Sequence, residues 1–292
     1  MISIKNLTKD YGNKKGIFDL SFTINQGEVF GYLGPNGAGK TTTIRHLLGF
    51  LNADKGNCSI NGFNCRTQSS QIMKTLGYLP GEMAFFDGMT GIRFLKFMAQ
   101  LHRLKETTYC YRLIEMFELD AGVKIKKMSK GMKQKLGIVS AFMHNPDVLV
   151  LDEPTAGLDP LMQRLFLDLI HTEKAKGKTI LMSSHNFDEV EKACNRIGII
   201  KQGRLVAIED VDVLRNSKRK NFEITFDTVE HARDFSKKIN CKSFTLKEKV
   251  AIISLSGDIN NFIKELSAFS IVDLKSENGS LEDLFMHYYG GK

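Results

Sequence analysis

Along the first thirty residues apolar and polar positions alternate: Ile2, Ile4 and Leu7, then Phe18, Leu20, Phe22 and Ile24, supply apolar faces. A period of two belongs to strands with one buried face. Glu28-Val29-Phe30-Gly31-Tyr32 is apolar almost throughout, as a strand covered on both sides must be, and Thr42–Leu48 reads as a helix. Ser59-Ile60-Asn61-Gly62-Phe63 carries an Asn-Gly hairpin signal, so an antiparallel subsheet is expected beside this core. From about 90 to 145 the period lengthens. Phe94, Leu95, Met98 and Leu101, then Leu113, Met116 and Phe117, recur at three and four and predict packed helices. After Pro146 strand and helix patterns alternate again, as a parallel sheet with crossover helices requires.

Beyond about 220 the pattern changes. Phe222–Phe226 predicts a strand, Val229–Ile239 a helix, Ser243–Leu246 and Val250–Leu255 two strands, Ile259–Leu266 a helix and Ser270–Leu274 a strand. That order, βαββαβ, is the ferredoxin-like signature. Ser280-Leu281-Glu282-Asp283 resembles a capping box opening a last helix with Leu284, Phe285 and Tyr289. A chain of 292 residues exceeds the size at which one core stops growing, so a large domain over 1–218 and a smaller one over 219–292 are expected.

Candidate chemistry sharpens this. Gly34-Pro35-Asn36-Gly37-Ala38-Gly39-Lys40-Thr41-Thr42 fits glycine, four residues, glycine-lysine-threonine, between a strand and a helix. Backbone amides of such a loop form a nest for phosphates, Lys40 reaches the terminal pair, and Thr41 offers its hydroxyl to Mg2+. The helix N-terminus adds a favourable field. Val148-Leu149-Val150-Leu151 is an apolar strand ending in Asp152 and Glu153, whose side chains point opposite ways. Asp152 is therefore expected at Mg2+, and Glu153 at the attacking water as base or polariser.

These motifs, with Ser129-Lys130-Gly131-Met132-Lys133-Gln134, Gly157-Leu158-Asp159 and His185 after Ser183-Ser184, make residues 1 to about 215 resemble an ABC transporter ATP-binding subunit. The resemblance implies an α/β fold: a P-loop NTPase core of ABC type, an antiparallel β subdomain and a helical subdomain over about 83–145, here followed by a small α+β domain. It also implies that ATP bound on one subunit's loop is capped by Ser129 and the Gly131 amide of another, from a helix over Met132–Met143. His185 would contact the terminal phosphate, Asp159 would join the nucleotide-binding set, and Tyr11 would stack on adenine beside Gly12. Lysine and methionine around Gly131 depart from the commonest form of the signature. Gly77-Tyr78-Leu79-Pro80 leads to Gly81 where the family has a metal-touching glutamine, so either Glu82 or solvent supplies that oxygen.

The signature, the Gly81-Glu82 pair and the tail through Tyr289 are similar to bacterial drug, bacteriocin and sodium export subunits. The implied partners are a second copy or a homologous ATPase subunit and a separate transmembrane permease, with the chain peripheral on the cytoplasmic face. Phe85-Phe86 stand as candidate contacts to that permease, with a core role as the alternative. A soluble ABC ATPase acting on ribosomes, DNA or cluster assembly is the competing expectation, and a binding module with vestigial hydrolysis a third. The net charge of +8 is spread over dispersed lysines, and residues 221–292 carry 9 Lys/Arg against 11 Asp/Glu, so nucleic acid is not the expected partner. No run of about 18 apolar residues is present, and the opening Met1–Lys5 alternates like a strand rather than a signal. Cys58, Cys65, Cys110, Cys194 and Cys241 are scattered and read as reduced thiols.

Overall fold

The computed structural model describes residues 1–86, 88–216, 220–239, 243–255 and 259–278, and the chain divides into two compact units, Met1–Val211 and Asp212–Lys292. The first unit runs β1 Ile2–Asp10, β2 Gly16–Ile24, β3 Val29–Leu33, α1 Lys40–Leu47, β4 Lys55–Ile60, β5 Phe63–Asn64, α2 Ser69–Ile72 and β6 Leu76–Leu79. It continues with α3 Gly91–Leu101, α4 Thr108–Met116, α5 Lys130–Phe142, β7 Val148–Asp152, α6 Pro160–Ala175, β8 Thr179–Ser184, α7 Phe187–Ala193, β9 Arg196–Lys201 and β10 Arg204–Asp210, and α8 Val211–Asn216 follows.

Among the described residues, β10-β9-β3-β8-β7-β6 form one sheet. β9, β3, β8, β7 and β6 are parallel and β10 pairs antiparallel at the edge. Every residue of β3, β7 and β8 is buried, which is why these segments read as continuous apolar runs. β8 lies between β3 and β7, so the C-terminal ends of β3, β8, β7 and β6 stand side by side. Those ends lead into the 34–39 loop, His185, Glu153 and Gly81 respectively. Ligands of open α/β sheets bind at this edge.

β2-β1-β4-β5 form the expected antiparallel subsheet. Asn61 and Gly62 have φ of 50° and 84°, the paired left-handed geometry of a tight hairpin turn. The subsheet shares a core with the central sheet: Phe22 stacks on Phe30 at 5.3 Å, and Ile44 and Leu47 of α1 belong to the same cluster. The alternation expected for β2 shifts at one end. Ile17 is fully buried and Phe18 only partly so, because the β1–β2 register breaks between Leu7 and Lys9 and Asp19 takes a φ of 55°.

The helical stretch is carried by α3, α4 and α5. Phe94, Leu95, Leu113 and Phe117 are buried as expected, but Leu101 and Met116 are exposed. Both are the last residues of their helices, and α3 packs along a line through Gly91, Leu95 and Ala99 that leaves Leu101 at its rim. The signature helix starts two residues earlier than expected, at Lys130, with Ser129 as its cap.

The second unit has β11 Lys220–Phe226, α9 Val229–Lys238, β12 Ser243–Lys247, β13 Val250–Leu255, α10 Ile259–Leu266 and β14 Ile271–Asn278. The sheet order β12-β13-β11-β14, antiparallel at every step, is the ferredoxin-like arrangement read from the sequence. Its core joins Phe222, Ile224 and Phe226 of β11 to Phe235 of α9 and Phe262 of α10. The expected helix after Ser280, the boundary at 218 and Cys241 lie outside the described residues. Among the described residues no helix is long and apolar enough to cross a membrane, and Cys58, Cys65, Cys110 and Cys194 are free thiols.

Candidate functional site: a phosphate cleft at the sheet edge

The four strand ends open into a cleft of about 900 Å³. Its walls include Pro35, Asn36, Gly37, Gly39, Lys40, Thr41 and Thr42 from the loop and α1, Asp152 and Glu153 from the end of β7, His185, Gly81, Glu82 and, across the mouth, Tyr11. Gly34 and Ala38 sit beneath the loop: a Cβ at Gly34 would meet the Ile200 carbonyl oxygen at 2.6 Å, and Ala38 is buried. Gly37 and Gly39, with φ of 78° and 114°, turn the loop in a way side chains rarely allow. Lys14, Lys15, Lys40, Arg45 and Lys130 also line the cleft, so its charge suits a polyanion.

Lys40 is only 6% exposed; its ammonium donates to the Gly34 carbonyl at 2.6 Å and lies 3.1 Å from Glu153 Oε1. This Oε1 has no well-directed hydrogen bond and is held by charge alone, while Oε2 meets His185 Nδ1 at 2.7 Å. Glu153 itself has a φ of 49°, a left-handed backbone costing about 1–3 kcal/mol in a non-glycine residue. Three contacts over-determine it. Its amide donates to Ser183, to the carbonyl at 3.2 Å and the hydroxyl at 3.1 Å, and its carbonyl accepts from Gln134 Nε2 at 3.4 Å.

Asp152, 2% exposed, accepts from the Thr41 hydroxyl at 2.9 Å and from Ser183 Oγ. With Thr41 it presents hard oxygen donors of the kind Mg2+ takes. A Cβ built at Gly81 would stand 3.5 Å from the Asp152 carboxylate, in ordinary contact, so glycine there is not demanded by crowding. Glu82 is exposed on the wall of the same cleft. Tyr78 is pushed up to about 12 by burial and then by the charge of Asp152, so its hydroxyl stays protonated there.

Tyr11 is 53% exposed at the cleft mouth, in a turn where its amide donates to the Lys15 carbonyl at 2.9 Å and Gly12 has a φ of 81°. The Lys9 ammonium lies over its ring, 5.9 Å from the centroid. His185 is 63% exposed and held to Glu153 through Nδ1. Ser129 and Asp159 behave differently. Ser129 Oγ accepts from the Met132 amide at 3.2 Å and caps α5; Asp159 Oδ1 accepts from the Met162 amide at 3.0 Å and caps α6. Both are exposed, and neither they nor Gly131 lines the cleft of their own chain. Gly131 packs on the next loop, where a Cβ would come 2.8 Å from the Gly157 carbonyl oxygen.

Two residues to which the motifs assign no role tie this site together. Gln134, 2% exposed, donates to the Pro154 carbonyl at 2.6 Å and joins the signature helix to the end of β7. Glu189, buried on α7, accepts from Thr155 and, at 3.2 Å, from Ser184. The sequence around them carries no signal, since Gln134 lies between Lys133 and Lys135 and Glu189 between Asp188 and Val190-Glu191, and in two of these contacts the partners are 20 or more residues away.

Comparison with known proteins agrees with this geometry. Residues 17–156 match the family model described as ABC transporter. The bacitracin transport ATP-binding protein BcrA of Bacillus licheniformis is 31% identical over 100% of this chain and 98% of its own length. The linearmycin resistance ATP-binding protein LnrL of Bacillus subtilis is 29% identical over 99% and 98%. Among solved structures, one titled as the ATP binding subunit of an ABC transporter is 32% identical, with a TM-score of 0.68 over 74% of this chain and 92% of that one. A dimeric ABC transporter cassette, MJ0796, shares the fold at 21% identity, with a TM-score of 0.65 over 72% and 99%. With relatives that match it from end to end and a phosphate cleft built as their name requires, this chain belongs to the ABC transporter ATP-binding proteins, subunits that bind and hydrolyse ATP.

Proposed function

We propose that the chain is the ATPase subunit of a membrane exporter, working head to tail with a second copy or a homologous subunit and driving a separate permease. One observation carries the reading: the capping residues Ser129 and Gly131 do not line the cleft that holds Lys40, so a single chain presents two unmatched halves of a site. Ser129 supports it further. Its oxygen already accepts from Met132, which leaves the hydroxyl proton to donate to a phosphate oxygen of a facing chain. MJ0796 is, by its title, a dimeric cassette, and BcrA and LnrL are, by name, transport and resistance proteins; by likeness the same work is assigned here.

The chain's own residues supply the steps. Lys40 gives up the Gly34 carbonyl and Glu153 and turns to the entering phosphates, which frees the Glu153 carboxylate. Glu153 then accepts a proton from the attacking water as the terminal P–O bond breaks, and His185, hydrogen-bonded to Glu153, donates toward the developing charge. Thr41 and Asp152 would hold Mg2+, with Glu82 as a third oxygen; when bound, the metal neutralises charge on the phosphates. Tyr11 carries the adenine. Phe85 and Phe86, edge-on to Phe94 and Phe97 of α3, are assigned to the permease contact; Phe86 is 56% exposed and Phe85 half-buried.

The test is purification from the native membrane of the Glu153→Gln chain with ATP. The reading expects an ATP-dependent dimer that has lost turnover and co-purifies with a membrane-spanning protein. Recovery with ribosomes, or a monomer at saturating ATP, would overturn it.

A further inference from the structure

Between the end of β6 and α3 the chain crosses the cleft wall as a strap, residues 80–86. Its first part lies at the reacting end of the site: Gly81 and Glu82 line the cleft, and a Cβ built at Gly81 would stand 3.5 Å from the Asp152 carboxylate. Among the described residues no hydrogen bond or ion pair holds residues 81–85. Gly81 has no side chain with which to tether itself. The strap therefore stays where its apolar side chains are seated.

The seat nearest to Glu82 is that of Met83. A Cβ built at Gly137, in the middle of α5, would meet Met83 Sδ at 2.2 Å and Cε at 3.2 Å, with Leu79 Cδ1 at 2.8 Å. The thioether thus fills the notch left by the missing side chain, a use that suits the flexible, polarisable methionine. A helix interior disfavours glycine, and here the glycine makes room for the strap. Gly137 follows Gln134 by three residues, so the notch shares the face of α5 that donates to the Pro154 and Glu153 carbonyls. Farther along, Phe85 and Phe86 meet Phe94 and Phe97 of α3 edge-on at 5.1 and 6.0 Å.

We propose that Met83 is a positioning residue for the reaction: seated on Gly137, it sets the Gly81-Glu82 segment against Asp152. Met83 does not itself line the cleft, so it acts through the strap. One helix then places the surroundings of both acids, Glu153 through Gln134 and Asp152 through Met83. This rests on the ATPase reading given above.

The experiment compares the full-length parent with Met83→Ala, Met83→Leu, Gly137→Ala and the Met83→Ala/Gly137→Ala double variant. Each is measured for turnover, for ATP binding in EDTA, and for chymotrypsin cleavage after Phe85 and Phe86 well below its melting temperature. Met83→Ala empties the notch and Gly137→Ala puts a methyl where the thioether sits, so both unseat the strap. Each should lower kcat roughly threefold to tenfold, as a displaced positioning group does. The ATP Kd in EDTA should change by less than about twofold, since the phosphate loop is not touched. Cleavage should quicken in both as the strap opens more often. The double variant should fall no further than the weaker single one, because both changes remove the same contact. Met83→Leu keeps an apolar side chain of similar volume and should retain at least about half of the parental turnover. Parental kcat in both single variants would overturn the proposal. So would losses that multiply in the double variant, or a loss of ATP binding that matches the loss of kcat. Glu153→Gln is the control: parental turnover there would overturn the ATPase reading itself, whereas parental turnover in the Met83 and Gly137 variants beside an inactive Glu153→Gln removes the positioning role alone.

Discussion

Gln134→Ala separates catalysis from nucleotide binding. The side chain is 2% exposed and donates to two carbonyls, Pro154 at 2.6 Å and Glu153 at 3.4 Å. Its removal strips a donor from a buried acceptor, which costs about 1–3 kcal/mol, and the lost volume adds to that. With about 2 kcal/mol in total, the melting temperature of a unit this size falls by about 4–8 °C. The functional effect has a different origin. Glu153 pays for its left-handed backbone with contacts from Ser183 and Gln134, and losing one of them lets the residue relax. A shift of about 1.4 kcal/mol in that equilibrium is tenfold in the population of the working conformer, so kcat should fall about tenfold. The phosphate loop has no hydrogen bond to Gln134, so the ATP Kd should change by less than about twofold. Steady-state turnover, equilibrium binding and a thermal melt on one preparation decide this. A weakened Kd with unchanged kcat would refute the link between the signature helix and Glu153.

Glu173, fully buried, receives the Tyr109 hydroxyl at 2.8 Å and the ammonium groups of Lys176 and Lys178 at 2.6 Å. Burial works against its charge, but these three donors outweigh it and hold its pKa below the ordinary value. Glu173→Ala leaves Lys178 buried without its anion and should cost about 3–5 kcal/mol in a denaturant titration. His144, stacked at 3.8 Å on His102, is pushed down to about 4 by burial and then by its neighbour's charge. The native state thus refuses a proton that the unfolded chain takes below about pH 6.5, and stability is lost as pH falls from there toward 4, approaching 1.4 kcal/mol per pH unit. His144→Gln should flatten the melting temperature between pH 7 and pH 5, and an unchanged slope would exclude this pair as the source. Glu82→Gln should raise the Mg2+ concentration needed for half-maximal turnover severalfold without altering metal-free ATP binding; an unchanged requirement would assign the third oxygen to solvent.

Much of this site was legible because its chemistry is local. A nine-residue glycine-rich segment between strand and helix defines one nest, and two acids at the end of an apolar run define another, so spacing alone named Lys40, Thr41, Asp152 and Glu153. The ferredoxin-like unit was legible for a similar reason: short alternating strands and two amphipathic helices leave few orders of pairing. What spacing did not disclose is who meets whom. Gln134 reads as one polar residue in a helix until the fold sets it under the Pro154 carbonyl, and Glu189 reads as a surface acid until Thr155 and Ser184 close on it. The exposed Leu101 and Met116 fail for the opposite reason, since an apolar stripe marks a face but not where its partner ends. The positive φ of Glu153 has no sequence signal, because it is held by Ser183 of β8 and Gln134 of α5, both distant in sequence.

The central claim is that ATP is clamped between Lys40 of one chain and Ser129 of another. Lys40→Ala and Ser129→Ala, each inactive alone, can be mixed and assayed for turnover. In a head-to-tail pair the mixed dimer contains one site with both defects and one with neither, so activity should reappear on mixing and rise with the fraction of mixed dimers. If each variant stays as inactive in the mixture as it is alone, while native mass spectrometry shows that mixed dimers have formed, the two residues do not share a site across chains and the account is wrong.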